Sequence, residues 1–281
     1  MSRPLSSEYS LQLGFSFNKR LGANLIPYKK ATVNQDFDCA GIIDGKEGSG
    51  KSVFAQQVAA FLDVEHKIDI DTQICWTPEQ FNTAVNTLGK GKAIVWDEAR
   101  RGLNRRRSTD NINIDITDML AECRQNNLFM VIVMPTFYDM DMNVAVWRTR
   151  FLIHVYYSWS DNPEAPLERG KFRFYSENGK KNLYVNKHYR QSYKYPLLTS
   201  DSFDATFPHH YTVDEAKYRK KKRESENYYK KGKKDLWAII AYLKDKGAIS
   251  VVGLDLIANY MDVTTRTVYN RLKEASARNN S

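Results

Sequence analysis

Apolar stretches alternate with amphipathic stretches through the first part of the chain. Segments typical of buried strands lie at 40–43, 66–75, 93–96, 128–134 and 151–157. Apolar residues recur at helical spacing over 53–62, 81–88, 109–127 and 143–147. Thr77, Pro78 and Gln80 form a helix-start signal before the second of these. Strands that alternate with helices predict an α/β fold, a mostly parallel sheet with helices on both faces.

Two segments outside this alternation carry strand signals. Leu11, Leu13, Phe15 and Phe17 alternate with polar neighbours, which indicates an edge strand or hairpin. The stretch 177–180 contains Asn-Gly between apolar segments, which predicts a β-hairpin.

The end of the chain has a different pattern. Residues 217–234 are strongly basic, and three helical stripes follow, the last one capped by Thr264 or Thr265. Their order indicates a small all-α helix-turn-helix domain, although a three-helix docking bundle has the same pattern. We predict an N-terminal extension (1–36), a nucleotide-binding domain with a β-hairpin extension (37–212), a basic linker (213–234) and a helix-turn-helix, winged-helix-like domain (235–281).

Composition narrows the classes of protein to consider. The 281 residues carry a formal net charge of +9, which favours an anionic partner, nucleic acid above all. The three cysteines are scattered without metal-ligand spacing, as expected for reduced core thiols. The longest strongly apolar run, 128–134, is far shorter than the ~18 residues of a membrane span. We expect a cytoplasmic protein.

The strongest chemical signal is the stretch from Gly45 to Ser52, which has the G-x-x-x-x-G-K-[ST] spacing. It lies between a predicted strand and a predicted helix, as a phosphate-binding loop requires. Its glycines let successive N–H groups point at phosphate oxygens, Lys51 would reach the β- and γ-phosphates, and Ser52 would ligate Mg²⁺. The expected nucleotide-binding residues are Gly45, Lys46, Glu47, Gly48, Ser49, Gly50, Lys51, Ser52 and Val53.

A second signal follows the third predicted strand, where Asp97 and Glu98 end an apolar run. In this position Asp97 would hold Mg²⁺ and Glu98 would act as the general base that polarises the attacking water. Thr136, at the end of the next strand, is a candidate sensor of the γ-phosphate. The Asp-Glu pair favours hydrolysis over passive nucleotide binding.

Basic residues supply the candidate contacts with DNA or with a neighbouring subunit. The arginines of 100–107 could lie in a solvated loop, contact nucleic acid, or reach a neighbour's γ-phosphate. Arg148 and Arg150 precede a core strand and are candidates for an arginine finger or for surface salt bridges. The expected DNA-binding residues are Arg105, Arg106, Arg107, Lys220, Lys221, Lys222, Arg266, Thr267, Asn270 and Arg271.

A family resemblance lies in Asp97-Glu98-Ala99-Arg100, the nearby arginines, the stretch 123–128 and the strand that follows it. These features resemble one branch of the P-loop ATPases, the HerA/FtsK class, including Zot-like proteins of phages and mobile elements. The resemblance covers roughly 38–157 and implies a RecA-like (ASCE) fold, ATP, Mg²⁺, DNA as partner and a ring-forming homo-oligomer. It implies that Lys51 and Ser52 bind phosphate and Mg²⁺, Asp97 holds Mg²⁺, Glu98 activates water and Arg148 or Arg150 acts in trans. That class usually has Gln where this chain has Thr136.

These observations predict an ATP hydrolase that does work on DNA, as a translocase, packaging or replication motor of a virus or plasmid. A nucleotide-switched DNA-binding regulator and a membrane-associated virion-assembly ATPase are the alternatives.

Overall fold

The computed structural model describes residues 13–97, 99, 125–159, 164, 167–187, 191–194, 201–225, 240, 254, 258 and 264–279. The chain divides into two compact units, Met1–Tyr218 and Arg219–Ser281.

The first unit is a mixed α/β structure built on a seven-stranded sheet. Its strands are β1 Cys39–Gly45, β2 Ile74–Cys75, β3 Ala93–Trp96, β4 Phe129–Val133, β5 Phe151–Ser158, β6 Glu168–Tyr175 and β7 Ser202–Thr206. Its helices are α1 Lys19–Asn34, α2 Lys51–Leu62, α3 Pro78–Thr87 and α4 Glu177–Lys187, with a 3₁₀ turn at Phe137–Asp139 and a π-helix at Asn143–Arg148. A further helix, α5, spans 215–225 and so begins in the first unit and ends in the second.

The strands lie in the order β2-β3-β4-β1-β5-β6-β7. The first five in this order are parallel, and β5–β6 and β6–β7 are antiparallel. Strand β1 is central: Ile43 pairs with Val133 of β4 on one side and with Ile153 of β5 on the other. The mostly parallel sheet predicted from the sequence is therefore confirmed.

Two apolar cores cover the two faces of the sheet. On one face α1 and α2 pack through residues such as Leu25, Phe54 and Phe61. On the other face α3, the 3₁₀ turn, the π-helix and α4 pack through residues such as Phe81, Phe137 and Leu183. Helices on both faces explain why β1 is buried along its whole length, which a parallel strand in such a sheet requires.

The prediction of an edge strand near the N-terminus is wrong for the residues that the structure describes there. Leu13, Phe15 and Phe17 are buried in the first core, but residues 13–18 form no strand and α1 begins at Lys19. Asn18 caps α1 by accepting a hydrogen bond from the Leu21 N–H at 3.0 Å. Leu11 lies outside the described residues.

The segment that follows α2 also differs from its prediction. Of the strand predicted over 66–75, only Ile74–Cys75 pairs in the sheet. The helix predicted after it is confirmed: α3 starts with a capping box in which Thr77 and Gln80 satisfy each other's backbone N–H groups. The helix predicted over 109–127 lies almost entirely outside the described residues.

The hairpin predicted at 177–180 is wrong, because these residues begin helix α4. Ser176 accepts a hydrogen bond from the Gly179 N–H at 3.1 Å, which caps the first turn. Lys180 is fully buried and donates to the carbonyl oxygens of Ala145 and Val146 at 2.6 and 3.0 Å. Burial lowers the pKa of Lys180 to about 8.

In the second unit the described residues include parts of an α-helical core. Ile240, Leu254, Ala258, Val268 and Leu272 are helical and buried. The last helix, α6, spans Thr265–Asn279, and Thr264 caps it by accepting a hydrogen bond from the Thr267 N–H at 3.2 Å. This is the cap that the sequence predicted as one of two alternatives. The helix-turn-helix arrangement remains a prediction.

Asp63, directly after α2, connects three parts of the first unit. Its buried carboxylate accepts hydrogen bonds from the Glu65 N–H, the Ala93 N–H and the Gln73 side chain, all at 2.8 to 2.9 Å. Lys92 lies 3.7 Å away. A buried carboxylate is stable only when its oxygens are satisfied in this way.

We expect Asp63→Ala to lower the free energy of unfolding by about 3 kcal/mol, because the Ala93 N–H and the Gln73 amide lose a charged partner. The matched control is Glu65→Ala, whose side chain is exposed and should change stability by less than about 0.5 kcal/mol. Urea unfolding of both variants measures the difference, and equal stabilities would contradict this account of Asp63.

Candidate functional site

The loop between β1 and α2 lies at the carboxyl edge of the sheet. Gly50 forms the N-cap of α2 with a φ of 98°, in the left-handed region that suits glycine. Residues 46–48 are exposed, whereas Ser49 is buried and its N–H donates to the carbonyl oxygen of Lys46 at 3.3 Å. A helix N-terminus with an accessible glycine-rich loop is a favourable site for an anion such as phosphate.

Gly45 begins the loop under a steric constraint. Its φ is 142°, and a Cβ atom added there would lie 1.9 Å from the carbonyl oxygen of Val155 on β5. The close packing of two parallel strands therefore leaves no room for a side chain at this position.

The side chains that the sequence assigned to phosphate and Mg²⁺ lie together. Ser52 donates a hydrogen bond to Asp97 Oδ1 at 3.2 Å, although the two residues are 45 positions apart. Lys51 Nζ folds back on the loop and donates to the carbonyl oxygen of Lys46 at 2.9 Å. A hydroxyl and a carboxylate are the hard oxygen ligands that suit Mg²⁺, so this donor pair fits the ion.

Among the described residues there is no group of three or more His, Cys, Asp or Glu side chains that could hold a metal ion. A Mg²⁺ ion at Ser52 and Asp97 would thus depend on phosphate oxygens and water for its remaining ligands, as is usual where the ion arrives with a nucleotide.

Asp97 has a second partner that the sequence analysis did not predict. Tyr218 donates its hydroxyl hydrogen to Asp97 Oδ2. The tyrosine is buried, and desolvation together with the Asp97 charge raises its pKa well above the ordinary value. The hydroxyl therefore keeps its hydrogen and acts as a hydrogen-bond donor to Asp97.

A second buried carboxylate, Asp44, lies immediately before the loop. Its Oδ1 atom is 2.9 Å from His154 Nδ1, and its Oδ2 atom accepts from the Phe137 N–H at 2.7 Å and from the hydroxyl of Tyr193. The His154 and Tyr193 rings stack with centroids 3.6 Å apart. His154 and Tyr193 line one side of a cavity of about 370 Å³ that reaches Gly45.

Thr136, the candidate sensor, lies after the carboxyl end of β4, at the same edge of the sheet as the loop. Its hydroxyl is 3.1 Å from the Tyr193 hydroxyl and accepts from the Tyr138 N–H at 3.4 Å. Through Tyr193 it is connected to Asp44. The structure thus links the candidate sensor to the base of the loop by two hydrogen bonds.

Arg148 and Arg150 lie away from this chain's own loop. They precede β5, at the amino edge of the sheet, whereas the loop is at the carboxyl edge. Arg148 is exposed. Arg150 pairs with Glu177 at 3.3 Å and lies 4.5 Å over the Phe37 ring. The structure therefore does not bring these arginines to the site within one chain.

The remaining predicted residues divide into two groups. Glu98, the arginines 105–107 and Cys123 lie outside the described residues. Cys39 and Cys75 are buried free thiols. Of the predicted DNA contacts, Lys220, Arg266, Asn270 and Arg271 are exposed and Lys221, Lys222 and Thr267 are partly exposed. No described helix is both long and apolar enough to cross a membrane.

The sequence contained a signal for two of the residues that the analysis missed. Asp44 and His154 are polar positions inside otherwise apolar strands, and a buried polar residue next to a phosphate loop merits inspection. Tyr218 gave no such signal, because it lies in a basic segment 121 residues from Asp97.

The mostly parallel sheet and the loop between β1 and α2 are compatible with a P-loop NTPase fold. In a comparison with solved structures, the chain is similar to the crystal structure of the N-terminal domain of zonular occludens toxin from Neisseria meningitidis, at 14% identity and a TM-score of 0.37. The match covers 61% of this chain and 94% of that one. No family model and no curated protein matches the chain.

We expect Gly45→Ala to lower the free energy of unfolding by about 3 kcal/mol or more, because its Cβ would overlap the Val155 carbonyl at an unfavourable φ. Gly89→Ala is the matched control: no atom lies within 4 Å of its added Cβ, and it should be neutral or stabilising by up to about 1 kcal/mol. Thermal unfolding compares the two, and equal melting temperatures would disprove the steric argument.

Proposed function

We propose that this protein is a Mg²⁺-dependent ATPase that couples hydrolysis to work on DNA. The observation that carries the first part of the proposal is the contact of Ser52 with Asp97 at 3.2 Å, at the N-terminus of the helix that follows the glycine-rich loop. A chance glycine-rich turn would not need an acidic residue from another strand at this point.

The strand order supports a finer assignment within the P-loop proteins. Strand β4 lies between β1, which leads to the loop, and β3, which leads to Asp97. This order, with an acidic residue directly after Asp97, agrees with the RecA-like (ASCE) branch that the sequence resembles. Glu98 then has the role of general base, and Thr136 that of γ-phosphate sensor.

In the proposed reaction each residue contributes to binding, orientation or proton transfer. The loop N–H groups and Lys51 hold the β- and γ-phosphates, and Ser52 and Asp97 would hold Mg²⁺. The ion supplies neutralisation of the charge that develops on the phosphate oxygens. Glu98 orients the attacking water and accepts its proton during in-line attack on the γ-phosphorus. ATP is the expected nucleotide.

We further propose that the active form is a homo-oligomer, and that an arginine from a neighbouring subunit completes the site. Arg148 is the better candidate for this role, because it is exposed while Arg150 is held by Glu177. Where such arginine fingers exist they accelerate hydrolysis by roughly 10³–10⁵. Turnover should therefore rise steeply with protein concentration as the oligomer forms.

The experiment that tests the ATPase assignment compares nucleotide binding and turnover in three variants. Lys51→Ala should abolish tight ATP binding, whereas Glu98→Gln should bind ATP and lose about 10²–10⁴ in turnover. Lys90→Ala, an exposed lysine elsewhere in the same unit, is the control and should behave as the unmodified protein. The proposal would be contradicted if the unmodified protein kept its turnover in EDTA, or if Glu98→Gln turned over as fast as the unmodified protein.

The DNA part of the proposal depends on charge. The net charge of +9 and the exposed Arg266, Asn270 and Arg271 of α6 support contact with the phosphate backbone. The proposed DNA-binding surface also includes Lys220, Lys221 and Lys222.

We expect the double variant Arg266→Ala/Arg271→Ala to weaken DNA binding and to reduce the salt slope of the binding constant by about 1 to 2. The double variant Lys19→Ala/Lys30→Ala removes the same charge from exposed positions of α1 and should leave the slope unchanged. Titrations at several salt concentrations, with DNA-stimulated turnover measured in parallel, give the result. Nucleotide-dependent DNA affinity without any turnover would instead favour the switched regulator.

A further inference from the structure

The segment that follows β7 packs along the helix of the phosphate loop. The Phe207 ring stacks on Phe54 of α2 at 4.1 Å and lies close enough to Gly50 that a Cβ there would be 3.2 Å from it. Gln57 of the same helix donates two hydrogen bonds of 2.8 Å, to the carbonyl oxygens of Pro208 and His210. We call residues 207–218 the strap.

The strap ends at Tyr218, whose position is fixed by several contacts. The ring lies 5.8 Å from both Trp76 and Tyr211, and the residue is only 4% exposed. Its neighbour Lys217 pairs with Asp71 at 2.5 Å. These contacts direct the tyrosine hydroxyl to Asp97.

Both carboxylate oxygens of Asp97 therefore have a proton donor within the protein. Oδ1 accepts from Ser52, and Oδ2 accepts from Tyr218. A cation held by Asp97, directly or through a water ligand, must approach the same two oxygens, and each of them already uses one of its two lone-pair directions. Ser52 can turn its lone pairs to the ion and remain as a ligand, but a neutral tyrosine hydroxyl that donates to Oδ2 competes with the ion for Asp97.

We propose that Tyr218 is a latch on the nucleotide site: it holds Asp97 when the loop is empty, and the Mg²⁺–nucleotide complex displaces it. This inference depends on the proposed nucleotide-binding function and describes how that site is regulated. Free nucleotide without Mg²⁺ makes no demand on Asp97 and leaves the latch closed.

The residues that follow Tyr218 determine what its release from Asp97 changes. Tyr218 lies in α5, and the next residues along the chain include Lys220, Lys221 and Lys222, which belong to the proposed DNA-binding surface. Release of Tyr218 frees the start of the segment that leads into these lysines. Occupancy of the phosphate loop therefore changes how the basic segment is held, because this segment directly follows Tyr218 in the chain.

The test measures binding of a fluorescent, non-hydrolysable ATP analogue to Tyr218→Phe, with Mg²⁺ and with EDTA. Loss of a hydrogen bond to a charged group should make binding about tenfold tighter with Mg²⁺ and leave it unchanged in EDTA. Tyr28→Phe is the matched control, since Tyr28 is partly buried near Phe151 at the opposite edge of the sheet. A merely structural role for Tyr218 would affect both conditions equally.

Hydrogen exchange in the unmodified protein provides a second measurement that does not depend on a variant. Saturating Mg²⁺–analogue should raise amide exchange over 207–225 severalfold, and the analogue in EDTA should not. Slower exchange, or equal or weaker Mg²⁺-dependent binding by Tyr218→Phe, would overturn the latch and indicate that Tyr218 stays on Asp97 in the loaded site. If neither the unmodified protein nor Tyr218→Phe binds the analogue, the proposed function itself fails. If both proteins bind it with the same affinity, the nucleotide-binding function stands and only the latch fails.

Discussion

The shared direction of β1, β3, β4 and β5 is the constraint on which the rest of the structure depends. Because these strands are parallel, the segments that follow them all emerge at one edge of the sheet. The register is fixed most strongly at β1, which pairs with β4 over Cys39–Ile43 and with β5 over Gly41–Gly45. The loop thus starts from a strand that is paired on both sides, and Ser52 meets Asp97 where α2 packs against β3.

The base of the loop is polar as well as rigid. An unpaired carboxylate would be costly at the buried position of Asp44, yet three groups from three other segments satisfy it: His154, the Phe137 N–H and Tyr193. This cluster joins β1, β5 and the segment after β4 at the base of the loop. A substitution of Thr136 would affect the base of the loop through the hydrogen bonds that join Thr136, Tyr193 and Asp44.

The sequence predicted the structure well where a chemical motif directly follows a periodic apolar segment. The loop, Asp97 and the strand end at Thr136 were predictable, because apolar runs mark buried strands and a fixed motif marks the turn. The Asn178-Gly179 turn signal failed because tertiary packing outweighs it: Leu183 and Tyr184 are buried in the second core, and Lys180 satisfies two carbonyl groups of the π-helix. The contact of Tyr218 with Asp97 could not be predicted, because no local sequence pattern specifies a hydrogen bond between residues 121 positions apart.

The two antiparallel pairings at the end of the sheet have a consequence for how this fold can vary. Strand β6 runs against β5, and β7 runs against β6, so β7 points in the same direction as β1. The chain therefore leaves β7 at the edge of the phosphate loop, where Phe207 reaches α2. An odd number of added strands would deliver the chain to the other edge. Strands added after β5 would therefore have to come in pairs for the chain to emerge at the edge where Phe207 packs on α2.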